Sequence, residues 1–135
     1  QFRSDNGYTD KNPWEQASIM RAENLPSSLV SSIQRIIDLI VERNWAELSK
    51  DAPNSRVQWA DMERELNSYG EDYATLPDDF IEKTHFGRLT SGGYWIDCPL
   101  WVVGHKTSDL EVQMEAFQKD SDAKWDIQID DIRVP

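Results

Sequence analysis

Hydrophobic residues in this chain recur every three or four positions up to about residue 69, and every second position from about residue 94 onward. Spacing of the first kind places a stripe along one side of a helix, and alternation of the second kind fills one face of a strand. Helices first and sheet second restrict the chain to an α+β arrangement. N-terminal helices are then expected to pack on one face of a C-terminal antiparallel meander of three to four strands.

The strongest helical pattern follows Pro26. Leu29, Ile33, Ile36, Ile37 and Ile40 share one side, while Arg35, Asp38 and Glu42 fall elsewhere on the wheel. Ser27 or Ser28 is placed to cap, and the pattern runs to about Arg43. Four Ile and two Val are mediocre helix formers, so burial of the stripe must hold this helix. Asn44-Trp45-Ala46-Glu47-Leu48 reads as a break and a short helix that stops by Pro53-Asn54. Trp59, Met62, Leu66 and Tyr69 define a further helix, with Gly70 where a left-handed terminator belongs. Residues 1–26 are polar, without a clear period, and read as a partly ordered extension with one short helix around Pro13 to Arg21. Residues 27–135 form the expected single α+β domain.

Strand signals fill the second half. Phe80 to Leu89 is a first, impure strand, and Ser91-Gly92-Gly93 is a hairpin turn. Tyr94, Ile96, Cys98, Leu100 and Val102 then alternate with Trp95, Asp97, Pro99, Trp101 and Val103. Pro99 cannot donate to a ladder and so implies a sheet edge or a bulge. Leu110 to Ala116 and Trp125 to Val134 alternate in the same way, and Asp131 slips the count by one as a β-bulge would. Lys119 to Lys124 is the expected six-residue turn of an antiparallel hairpin.

Charge bounds the function. The formal net charge is −11, and from Pro26 onward 11 basic residues face 21 acidic ones, so the acidity belongs to the folded part. Such a field repels nucleic-acid backbones and anionic membranes and attracts cationic partners. No apolar run reaches the ~20 residues of a membrane span. The lone Cys98 excludes an intrachain disulfide and fits a reducing compartment, so a cytoplasmic location is expected. The chain begins with Gln1 rather than Met, which leaves room for trimming or a removed leader. Nothing in the pattern sets an oligomeric state.

No chemistry-bearing motif stands out. His85 and His105 are isolated and Cys98 has no cysteine partner, so no metal and no cofactor are expected. Asp97 and Asp126 sit beside Trp residues, where desolvation could raise a carboxyl pKa. Without a second catalytic group they read as solvent-facing acids, and no enzyme is expected. The functional candidate is instead an acidic surface made of Glu71, Asp72, Asp78, Asp79, Glu111, Glu115, Asp130 and Asp131, with Tyr73, Trp95 and Trp101 as aromatic anchors. Surfaces of that kind use charge for encounter and aromatic rings for affinity.

The β-branched helix, the break Glu42-Arg43-Asn44-Trp45-Ala46-Glu47-Leu48, and a final strand running Trp125 to Val134 resemble the nuclear-transport-factor-like, or cystatin-like cone, superfamily. The stretch from Ser27 to Val134 is also similar to small bacterial domains of unknown function that suit a toxin-immunity role. The resemblance implies a curved sheet wrapped on helices. Enzymes of the superfamily carry paired Asp, Tyr or His in the cone, and no such set is matched here. The leading expectation is an immunity protein that neutralises a cognate basic toxin, a nuclease being the kind such a surface suits, by steric and electrostatic occlusion. The alternative is a small-molecule-binding or isomerase-like cone domain with a pocket lined by Trp59, Tyr94, Trp95 and Trp101.

Overall fold

The isoleucine stripe after Pro26 becomes helix α1 (Ser27–Val41) in the computed structural model, which describes residues 25–135 without the side chains of residues 121–123. The helix expected around Pro13 to Arg21 lies outside the described residues. Leu29, Ile33, Ile37 and Ile40 are fully buried, as the poor intrinsic propensity of this segment demands. No serine side chain caps α1: Pro26 occupies that position, and its carbonyl accepts from the amides of Leu29 and Val30 at 3.0 Å. Ser28 is used differently, accepting from Trp125 Nε1 at 3.0 Å and tying α1 to the last strand.

Helix α1 stops two residues short of the expected Arg43. Arg43 itself takes the left-handed conformation (φ 57°), and Asn44 N donates to Leu39 O at 2.9 Å in a Schellman closure. That conformation is costly for a non-glycine residue, and it is held here by the side chain. The guanidinium donates to Val41 O and to Asn67 Oδ1, each at 3.1 Å. Asn44 then caps α2 (Trp45–Asp51), accepting from Glu47 N at 3.3 Å. Helix α3 (Trp59–Tyr69) ends at Gly70 (φ 60°), as the sequence pattern expects. No helix among the described residues is long and apolar enough to cross a membrane.

The sheet is antiparallel and has five strands, one or two more than the pattern suggests. They are β1 (Tyr73–Ala74), β2 (His85–Arg88), β3 (Tyr94–Val102), β4 (Lys106–Lys119) and β5 (Ser121–Arg133). The expected strand Phe80–Leu89 is in part a 310 turn, Phe80–Lys83, which drops Phe80 into the core before β2 begins. Ser91-Gly92-Gly93 does turn a hairpin, with Leu89 N donating to Gly93 O at 2.8 Å. Strands β4 and β5 run far longer than expected. The regular ladder ends at the Gln118–Trp125 pair, so Lys119 to Lys124 is the six-residue connection expected; inside it Lys119 pairs with Ser121 across Asp120, out of register with the rest.

Both β1 and β2 pair with the same edge of β3, one at each end. Pro99 falls in the gap between them, where no ladder bond is asked of it, and it also borders a bulge in which β4 spends Ser108–Leu110 opposite Leu100. The register of β4 and β5 slips at Asp130, one residue before the expected Asp131. At the opposite edge the loop before α3 covers β5. Arg56 N donates to Ile129 O at 2.9 Å, and Ile129 N donates to Ser55 Oγ at 2.9 Å. That cover blunts a strand edge that would otherwise recruit other chains.

One hydrophobic cluster joins α1, α2 and α3 to the inner face of the sheet. Tyr94, Ile96 and Cys98 of β3, Leu110, Val112, Met114 and Ala116 of β4, and Ile127, Ile129 and Ile132 of β5 line that face, all buried. Burial pushes the Cys98 thiol up to about 12, so it stays protonated, an inert hydrophobe.

Two glycines separate backbone limits from side-chain limits. A Cβ on Gly93 would meet the Ala116 carbonyl at 2.5 Å, whereas a Cβ on Gly87 would meet only the Trp95 ring, with Nε1 at 2.6 Å. Backbone cannot give way and a ring can. Gly93→Ala is expected to cost about 2–3 kcal/mol and Gly87→Ala about 1 kcal/mol or less, read by urea unfolding. Equal losses would contradict this packing.

Candidate functional site: the bare face of the sheet

The helices bury one face of the sheet, and no described helix lies on the other. Cross-strand partners share a face, so the register maps it directly. Gly87, Trp95, Glu115 and Gln128 form one row, and His85, Asp97, Gln113 and Asp131 the next. Pro99, Glu111 and Arg133 form a third. Apart from Pro99, these residues are half-buried or exposed, in contrast to the closed inner face. Trp95 is 38% exposed, with its ring lying over Gly87.

Two of the acids here, Asp130 and Glu115, are held by a cation of the same chain. Arg56 reaches over the edge of β5, donating through Nη1 to Asp130 Oδ1 at 2.7 Å and standing 3.6 Å from Glu115 through Nη2. Arg133 donates to the amide oxygen of Gln113 at 2.8 and 3.1 Å, and Gln113 hydrogen-bonds Asp97 in turn. Partial burial nevertheless dominates. It pushes the Asp97 carboxyl above the usual range, with Arg133 and His85 opposing. Glu111 is raised by burial and then by the neighbouring Asp97 charge, and Asp130 by burial against the pull of Arg56. These groups hold charge on a surface only half wetted by solvent.

The eight acids expected to form one patch do not come together. Asp72 O accepts from Val103 N at 2.9 Å, beyond the end of β3, whereas Glu115 pairs with Trp95. Eight strand residues separate those positions, about 26 Å at ~3.3 Å per residue. Glu71 and Asp72 therefore sit at one end of the sheet. Exposed Asp78 and Asp79 lie in the loop before the 310 turn, Asp79 standing 3.8 Å from His105 Nε2. Glu111, Glu115, Asp130 and Asp131 belong to the bare face or its bulge.

Of the aromatic anchors, Trp95 is on the face. Tyr73 is half-buried, its hydroxyl donating to Leu66 O at 3.3 Å, and Trp101 is only 4% exposed, packed edge-on against His105. Trp101 Nε1 has no hydrogen-bond partner among the described residues. The four residues expected to line a cone pocket are likewise scattered. Trp59 stacks on Trp45 beside the helices, Tyr94 faces the core, and Trp95 points from the opposite side of the same strand. Asp97 and Asp126 lie in rows four residues apart, too far for paired catalysis. No group of three or more His, Cys, Asp or Glu among the described residues converges as a metal would require.

Pattern reading missed Arg56, Gln113 and Arg133. Arg133 and Gln113 carry a signal, since both stand on the polar side of an alternating strand. Arg56 carries none, because its role depends on a loop folding back over β5.

A family described as a domain of unknown function, DUF7668, matches residues 37–135, from the middle of α1 to the last residue. No curated protein and no solved structure matches the chain.

The raised carboxyls carry a sign. A carboxyl whose folded pKa exceeds its unfolded value favours the folded state while protonated, and that contribution is lost as pH rises through the folded pKa. Asp97, Glu111 and Asp130 should therefore weaken the fold at neutral pH relative to mildly acidic pH. Asp97→Asn is expected to raise Tm at neutral pH, with the gain shrinking as pH falls into the carboxylate range. A gain independent of pH would contradict the desolvation account.

Proposed function

This chain belongs to the DUF7668 family, and we propose that it is a non-enzymatic binding protein whose bare sheet face docks a basic protein partner. The partner class we favour is a cognate bacterial toxin, neutralised by occlusion, with this chain as its immunity protein in the cytoplasm. The observation that carries the reading is the face itself: Trp95 beside Glu115, with Asp97 and Glu111 in the adjoining rows, on a sheet surface that no described helix covers. Partly desolvated acids lose little further hydration when a guanidinium or ammonium docks, so the Coulombic gain is better retained than at a fully wet site. A half-exposed indole beside them supplies apolar area and a cation–π surface. The likeness to cone-shaped domains is compatible with this use, since a curved sheet presents such a face. A small-molecule role has less support, because its four expected residues point in different directions.

The docking surface is therefore the face, and the end group of Glu71, Asp72, Asp78 and Asp79 serves long-range attraction. The reading predicts a neighbouring gene that encodes a secreted protein with a basic C-terminal domain, and that domain is the partner to test. Co-expression of this chain is expected to restore growth against that domain. The double variant Asp97→Lys/Glu115→Lys should lose protection, while reversal of Glu71 and Asp72 should mainly slow association. The association rate should fall about tenfold or more between low salt and about 0.3 M salt. Full protection by the face variant would remove the reading.

A further inference from the structure

The cations on the bare face differ in how they are anchored. Arg133 belongs to β5 itself, but Arg56 comes from the loop between α2 and α3, whose backbone is fixed by the Arg56 N to Ile129 O bond at 2.9 Å and by Ser55 Oγ. From that anchor the side chain spans to Asp130 of the β5 bulge and to Glu115 of β4, the cross-strand neighbour of Trp95. Its guanidinium lies where two strands bring carboxylates together, yet the side chain is 61% exposed. Exposed pairs of this kind hold weakly and exchange readily. The backbone anchor does not depend on the side chain, so the loop can stay in place while the guanidinium leaves.

Resting on the proposed docking role, we infer that Arg56 is an internal competitor. It occupies the Glu115–Asp130 carboxylates in the free protein and yields them to a guanidinium of the partner. The exchange conserves charge on the face, since one guanidinium replaces another and Arg56 regains water. It also sets specificity. An arginine, able to bridge two carboxylates with its planar fork, can repay the displacement of Arg56, whereas a lysine ammonium makes a single point contact. The face therefore selects arginine-rich surfaces over merely basic ones. It stays quiet toward scattered cations because its best carboxylate pair is already filled.

The test uses the whole chain and a fluorescent oligoarginine peptide, with oligolysine as comparison, read by anisotropy at low salt. Arg64 supplies the control, because it is exposed, pairs with Asp61 of its own helix α3, and its removal changes net charge equally. Arg56→Gln is expected to bind oligoarginine about two- to fivefold tighter than Arg64→Gln, with a smaller gain for oligolysine. Arg56→Lys is expected to fall between wild type and Arg56→Gln. Equal or weaker binding by Arg56→Gln relative to Arg64→Gln would overturn the competitor role. The docking reading fails separately, if Asp97→Asn/Glu115→Gln weakens oligoarginine binding no more than Glu71→Gln/Asp72→Asn does.

Discussion

Burial of the sheet by helices on one side only, among the described residues, is the constraint from which the rest of this structure follows. The isoleucine stripe of α1 has no intrinsic reason to be helical and is held by the inner face of β3, β4 and β5. That face in turn is covered by α1 together with α2, α3 and Phe80 of the 310 turn. Each apolar set completes the other, and removing a single fully buried side chain such as Ile37 would cost about 2–5 kcal/mol. Alternation then dictates that every second residue of the same strands faces away from the helices. The bare face is thus a by-product of the core, and its composition was free to be set by something other than packing.

What occupies that face is a compromise between charge and partial dryness. Six acids lie on it or at its bulge and margin: Asp97, Glu111, Glu115, Asp126, Asp130 and Asp131. Arg56 and Arg133 offset part of the repulsion, yet Asp97, Glu111 and Asp130 remain above their usual range because burial outweighs the neighbouring cations. A surface serving solubility alone would place its acids where water reaches them fully. Here the charge is kept at a local cost in stability, beside an indole that is also not buried. Both features make sense if the missing solvation is completed by a docking partner.

Much of the fold was legible in the residues because the two periods are clean. Helix α3, with Gly70 at φ 60°, and the inward sets of β3, β4 and β5 follow from spacing alone. The errors lie where local pattern meets long-range pairing. The pattern places the hairpin connection at Lys119 to Lys124 but not the off-register Lys119–Ser121 pair inside it, which depends on backbone alone. Phe80 looks like the start of a strand because it is aromatic, whereas it plugs the core from a 310 turn. For the site, the residue types were visible and their grouping was not. Alternation shows that Trp95, Asp97, Glu111 and Glu115 share a side, but only register makes Glu115 the neighbour of Trp95. The path of the loop through Ser55 and Arg56, which completes the face, leaves no trace in the sequence.

Amide and indole NMR of the isotope-labelled chain, titrated with a basic partner, reads the central claim residue by residue. Docking on the uncovered sheet should shift the Trp95 indole and the amides of Asp97, Gln113 and Glu115 first and furthest, leaving α1 and the Glu71–Asp79 end nearly still. Shifts concentrated at Glu71, Asp72, Asp78 and Asp79, or spread evenly over the surface, would show that the bare face is not where this protein meets its partner.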